Sequence, residues 1–404
     1  MNPDTWKSAF ARVRARTEAL AAPLSPEDQL LQAHPECSPT KWHRAHTTWF
    51  FETFILVKAG IAPVDERWSF LFNSYYEGIG PRHARTRRGL LSRPSHDEIA
   101  AYRRTVDGRM MEHLDRVTPA GWPALAPLLA LGLAHEEQHQ ELLLTDILAA
   151  LYENPLRPAY LREGIIEDGP PAVAPTPSPI PAGSTPFLSF EGGMVEIGAT
   201  GEGFCFDNEA PRHQRLLHPF ALSDRLVNWG QVQAFCRDGG YRTASLWLSD
   251  GWDCVITSGC ERPRPVVERD GTWEVFGVRG LRPCDPDAPA TGLSYYEADA
   301  IARWLGARLP DEAEWEHAAG SGQPLLQLFD HAWQWTRSDY APYPGFAPAA
   351  GAVGEYNGKF MVNQRVLRGS SAFTPPGHAR LTYRNFWHPP TRFQMTGLRL
   401  ARDL

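Results

Sequence analysis

His135-Glu136-Glu137-Gln138-His139 carries two imidazoles four residues apart. On an α-helix, residues i and i+4 stand on one face, so both rings can reach one point. Two histidines on a helix face are half of a metal site; the plain alternative is a hydrogen-bonded pair at a helix surface. The same residues match HExxH, in which two His bind zinc and the Glu is the general base of a peptidase. Such peptidases usually place strands before the helix, whereas the chain before His135 reads helical.

A third ligand must then come from another helix. Lys41-Trp42-His43-Arg44-Ala45-His46 offers His43 and His46, and one of them can face the His135/His139 pair. The other is left for the surface or a supporting role. Three neutral imidazoles suit Fe, Zn and Cu alike. Two further segments mix aromatic and polar groups. Asn73-Ser74-Tyr75-Tyr76-Glu77-Gly78-Ile79-Gly80-Pro81-Arg82-His83-Ala84-Arg85 reads as a substrate loop, because Arg makes bidentate contacts to carboxylates. Tyr383-Arg384-Asn385-Phe386-Trp387-His388 is dense in rings, and aromatic faces hold quaternary ammonium groups.

These residues need scaffolds. Apolar positions recurring at three and four predict helices over 3–22, 26–34, 39–60, 95–117 and 122–152, enough for a four-helix bundle. Ser25-Pro26-Glu27-Asp28, Ser38-Pro39-Thr40 and Ser95-His96-Asp97-Glu98 read as helix starts. Residues 169–186 hold seven prolines and read as a linker. Beyond it, Gly, Trp and turn signals multiply. Strands are expected near 194–198 and 364–368, and helices near 228–238 and 294–305. The expected architecture is a helical domain over 1–168, the linker, and an irregular α+β domain over 187–404.

Composition narrows the function classes. A net charge of -7 argues against a nucleic-acid partner, whose affinity comes from neutralised phosphates. No apolar run reaches the length of a membrane span, and the first twenty residues lack a signal-peptide core. Six scattered Cys without CxxC read as free thiols. A cytoplasmic protein is expected, with no membrane partner.

The motifs in combination resemble a known family. Residues 35–150 look like the DinB-type bundle of ergothioneine sulfoxide synthases. Residues 187–404 resemble a formylglycine-generating-enzyme-type domain, a C-type-lectin-like variant. The marks of the second are Gly193-Met194-Val195-Glu196-Ile197-Gly198, Phe206-Asp207-Asn208-Glu209, Arg308-Leu309-Pro310-Asp311-Glu312-Ala313-Glu314-Trp315, Trp333-Gln334-Trp335-Thr336 and Leu367-Arg368-Gly369-Ser370.

The resemblance implies a non-haem Fe(II) enzyme that couples O2 reduction to carbon–sulfur bond formation at imidazole C2 of hercynine, the trimethyl betaine of histidine. By position it implies His46, His135 and His139 as iron ligands, with His46 in place of the open His43/His46 choice. It gives Gln138, Asn385 and Phe386 to hercynine, and Arg82 and Arg85 to the donor's carboxylates. Tyr75 and Tyr76 match tyrosines that serve as proton or electron donors.

The donor side departs from that pattern. Trp387 stands where one subfamily has an acid that reads γ-glutamylcysteine, and His388 follows it. This favours the related selenoneine synthases, whose donor is a selenosugar, over a cysteine or γ-glutamylcysteine donor. No Cys occurs between Trp333 and Phe373, so the cysteine pair of formylglycine oxidases is missing. A zinc hydrolase and a lectin-like binding module are the readings from other classes.

Overall fold

The structure, a computed structural model, describes residues 3–161, 185–349 and 352–404. The chain divides into two compact units, Met1–Ile166 with Ala349–Tyr356, and Glu167–Pro348 with Asn357–Leu404. The expected linker lies outside the described residues except at Thr185 and Pro186. Residues 349–356, which the sequence reading gave to the second domain, group with the first unit.

The first unit is helical: α1 (Pro3–Ala21), α2 (Thr40–Phe51), α3 (Trp68–Phe72), α4 (His96–Arg116) and α5 (Trp122–Glu153). On α1 the buried residues Trp6, Phe10, Val13, Thr17 and Leu20 step by three and four, the period of one helix face. Helix α4 opens on a capping box, in which Glu98 N–H donates to Ser95 Oγ and Ser95 N–H donates to the Glu98 carboxylate. Helix α2 packs against α1, α4 and α5, which explains why all twelve of its residues are buried. A wide π-helical turn, Glu52–Leu56, follows it.

The helix expected over 26–34 is a single 3₁₀ turn, Asp28–Leu30. Ser25 and Asp28 cap each other as at a helix start. Pro35 disfavours helical geometry at His34, so the turn does not propagate.

The second unit is α+β. Its strands are β1 (Phe187–Phe190), β2 (Gly193–Ile197), β3 (His213–Leu217), β4 (Phe220–Leu226), β5 (Val266–Arg269), β6 (Thr272–Gly277) and β7 (Gly280–Pro283). They continue with β8 (Trp333–Asp339), β9 (Arg365–Arg368), β10 (Asn385–Trp387), β11 (Thr396–Gly397) and β12 (Arg399–Asp403). Four small sheets result, ordered β1-β4-β12, β10-β9-β8-β11, β2-β3 and β5-β6-β7. Helices α6 (Trp229–Arg237), α7 (Ser249–Ser258), α8 (Tyr295–Trp304) and α9 (Glu312–Gly320) accompany them. Ala313 and Ala318 of α9 share a core with Phe190, Ile197, Leu217, Phe220 and Leu222. Among the described residues no helix is long and apolar enough to cross a membrane.

Candidate metal centre

His46 on α2 meets His135 and His139 on α5, and one ring nitrogen of each lies within 4.8 Å of the others. Glycine permits this approach. A Cβ on Gly132, one turn before His135, would stand 2.6 Å from a ring carbon of Phe51, so only glycine lets α5 lie this close to α2. His46 is stacked between Trp42 (centroids 4.5 Å apart) and Trp49 (5.6 Å), and Phe50 lies against His135 (4.6 Å). Burial pushes His46 and His139 well below the usual imidazole range and His135 down to about 3. The rings are therefore neutral near pH 7, the form that binds metal.

The residues fit a metal ion. His46 donates from Nδ1 to the Phe72 carbonyl (2.6 Å), which leaves its Nε2 as a lone pair. That Nε2 lies 3.1 Å from Nε2 of His135. Two nitrogens bound at right angles, each about 2.1 Å from one ion, would stand about 3 Å apart. The third ring, His139, has its Nδ1 on His43 at 2.8 Å. His135 Nδ1 is buried without a hydrogen-bond partner.

Glu136 corrects the peptidase reading. One residue past His135 is a rotation of about 100°, which turns Glu136 away from the three rings and onto α1 and α4. Its carboxylate accepts from Arg14 (2.7 Å), Thr17 Oγ (2.6 Å) and Arg103, and it is fully buried. Burial alone would raise its pKa, but the Arg103 and Arg14 guanidiniums outweigh that and hold it at about 2. A carboxylate so committed is a structural anion, not a base for a metal-activated water.

The loop after α3 packs Tyr76 against Trp49 and Phe50, the rings that flank His46 and His135. Asn73 holds it, donating to the carbonyls of Tyr76 (2.9 Å) and Gly80 (3.1 Å). Tyr76 is fully buried against Trp49, Phe50 and Phe54, and its hydroxyl lies 3.3 Å from that of Tyr75. Burial raises the Tyr76 pKa well above its ordinary value, so the phenol keeps its proton.

Arg82 and Arg85 are exposed and engaged locally: Arg82 with the Glu77 carboxylate, Arg85 with the Glu36 carbonyl. The buried guanidinium here is Arg88. It lies 3.4 Å over the Trp42 ring and donates to Ser38 Oγ (2.9 Å) and Ser74 Oγ (3.1 Å).

Tyr356 is the residue that the sequence reading missed. Its hydroxyl donates to Gln138 Oε1, and its ring lies 5.8 Å from that of His135 and 6.2 Å from that of Tyr75. The neighbouring Glu355 accepts the backbone N–H groups of Glu77 (2.8 Å) and Gly78 (2.7 Å). Nothing in a Gly- and Ala-rich stretch two hundred residues from the helix pair marks Tyr356 as part of this centre.

The remaining site residues lie in the second unit. Asn385, Phe386 and Trp387 form β10, antiparallel to β9, so Phe386 points to the opposite face from its two neighbours. Phe386 stacks on Tyr340 at 4.0 Å, and Trp387 meets Phe393 edge-on at 5.6 Å. His388 donates from Nδ1 to the Asn363 carbonyl at 3.3 Å.

Comparison with known proteins finds two family models on different stretches of the chain. Residues 9–143 match the DinB superfamily, and residues 174–327 match the sulfatase-modifying factor enzyme 1-like domain. A hercynine oxygenase of Mycolicibacterium smegmatis is 29% identical, with 99% of each chain covered. One of Mycobacterium tuberculosis is 28% identical, with both chains covered in full. A formylglycine-generating enzyme of Streptomyces coelicolor is 32% identical over 38% of this chain and 53% of its own.

Proposed function

We propose that this chain, which matches the ergothioneine sulfoxide synthase family from end to end, is an O2-dependent Fe(II) enzyme that forms a carbon–chalcogen bond at imidazole C2 of hercynine. The observation that carries the reading is the convergence of His46, His135 and His139 as neutral rings in the DinB-type bundle. Iron bound by these three residues would supply the redox and O2 chemistry that no side chain provides.

The chain's own groups have separable tasks. Trp42 and Trp49 hold the His46 plane and keep water from it. Tyr356 donates to Gln138 Oε1 and so fixes the orientation of the Gln138 amide, the group that resemblance assigns to hercynine. Tyr76 and Tyr75 hold phenolic protons beside the ligand set and can deliver one to reduced oxygen. The resemblance also gives Asn385 and Phe386 to hercynine, since an aromatic ring suits a trimethylammonium group. Arg82 and Arg85 stay assigned to a donor that carries carboxylates; a selenosugar has none and does not require them.

For the donor, Trp387 and His388 favour a selenosugar, since a ring can stack where an acid would read an amino group. The reaction balances with one O2: the C2–H and Se–H bonds break, a C–Se bond forms, one oxygen goes to selenium and the other leaves as water. The test is competition in one vial between selenoglucose, cysteine and γ-glutamylcysteine at equal concentrations, read by mass spectrometry. A dominant selenium product supports the selenosugar donor. A dominant sulfur product overturns it and leaves a sulfur-transferring enzyme of the same family. Peptide cleavage with zinc, or no turnover of hercynine, rejects the oxidative reading altogether.

A further inference from the structure

Building on the metal-centre reading, we propose that His43 and Asp146 form a buried hydrogen-bonded line that fixes the tautomer of His139 and holds its Nε2 toward the metal. His43 is the histidine of the 41–46 segment that the three-ring cluster leaves over, and it too is buried. Its Nδ1 lies 2.8 Å from Nδ1 of His139, and its Nε2 lies 3.1 Å from Oδ2 of Asp146. Asp146 follows His139 by seven residues on α5, two turns along one face. It is buried, and its Oδ2 also accepts the backbone N–H of Ser38 at 2.7 Å.

The protons on this line follow by elimination. Asp146 Oδ2 already accepts the Ser38 N–H, so it serves as the acceptor for His43 Nε2 as well. With Nε2 donating there, His43 offers Nδ1 as the acceptor. His139 must donate from its own Nδ1, which leaves Nε2 of His139 unprotonated, the form a ligand requires. His46 reaches the same state through the Phe72 carbonyl. The two arrangements differ in charge: behind His139 stands a carboxylate one imidazole away, and such a partner strengthens a ligand's donation to its metal. His43 and Asp146 are thus positioning residues.

The test titrates metal-free full-length protein with Co(II) and, anaerobically, with Fe(II). It reads affinity by calorimetry and ligand geometry by Co(II) d–d absorption. His43→Leu removes the acceptor and should weaken binding about 10- to 100-fold and shift the Co(II) bands. His43→Asn places an amide oxygen where Nδ1 stood and should restore affinity to within about threefold of the parent. Asp146→Asn keeps the acceptor for Ser38 and His43 but loses the charge, and should fall between. A mere tie between α2 and α5 predicts equal losses in His43→Leu and His43→Asn, because neither replacement reaches Asp146; that result overturns the proposal. If His43→Leu fails to fold, the other two variants decide, and parental affinity in Asp146→Asn overturns it. Failure of the parent to bind either metal would instead reject the metal-centre reading itself. A loss in His46→Ala with parental binding in His43→Leu and Asp146→Asn rejects only the line.

Discussion

Replacing Glu136 by Gln should destabilise the helical unit strongly while sparing metal binding. The carboxylate is fully buried and accepts from Arg14, Arg103 and Thr17. Gln keeps the shape and one acceptor, but sets an NH2 group against a guanidinium N–H and removes the charge. Removing one partner of a buried pair costs about 3–5 kcal/mol. Here the lower end applies, because Arg14 keeps Asp107 at 2.7 Å and Arg103 keeps Glu18 at 2.9 Å. The titration of the group gives the same size. Held at about 2 against an ordinary 4.5, its ionisation contributes on the order of 3 kcal/mol at neutral pH. At ~2–4 °C per kcal/mol for a unit of this length, the first unit's melting transition should fall by about 6–12 °C in calorimetry of metal-free protein. Co(II) affinity should stay within a few-fold of the parent, since the group faces away from the rings. An unchanged melting point joined to lost metal-dependent hydrolysis would refute the reasoning and restore Glu136 as a catalytic base.

Other expectations follow from the same geometry. Gly132→Ala forces a Cβ against the Phe51 ring, so it should cost about 1–3 kcal/mol and weaken metal binding by parting α2 from α5; parental affinity and melting would contradict the close-approach argument. Metal-free stability should be complete above pH 6.5 and fall as pH drops toward the folded-state value of about 3 for His135, because the unfolded chain takes up protons that the buried rings refuse. Three such rings amount to a loss on the order of 4 kcal/mol between pH 7.5 and 5.5, and urea unfolding that is flat across that range would exclude neutral burial. Trp387→Ala should raise donor KM several-fold, about 1 kcal/mol of stacking, and leave hercynine binding unchanged in calorimetry; an equal effect on hercynine would remove Trp387 from the donor side.

The sequence carried the scaffold where local rules and tertiary packing agree. Helices α1, α4 and α5 appear within a residue of their expected bounds, and the Ser95–Glu98 box marks the start of α4; the helix expected over 39–60 instead ends as α2 at Phe51 and goes on only as the π-helical turn Glu52–Leu56. The 26–34 helix failed because a good cap was read without weighing Pro35. The i, i+4 pair His135/His139 is legible because one helix fixes its geometry. The third ring is not, since His43 and His46 both lie on a helix buried all round, and spacing alone cannot say which faces α5. Resemblance named His46, and the geometry gives a physical reason: the Phe72 carbonyl orients His46, while Asp146 draws His43 aside. Glu136 was legible in principle, because one residue past a ligand rotates off its face. Tyr356 was not, because the contact between a loop residue and Gln138 leaves no period and no motif in the chain.

The central claim is that Fe(II) bound by His46, His135 and His139 directs oxidation to hercynine C2. Its most direct test is a single turnover with hercynine deuterated at C2, selenoglucose and O2, comparing iron-loaded, zinc-loaded and metal-free protein by mass spectrometry. The account predicts a hercynine adduct that has lost the C2 deuterium, formed only with iron and O2 and absent in His135→Ala. Full retention of deuterium with no adduct in the iron-loaded protein, across selenosugar and thiol donors alike, would contradict it.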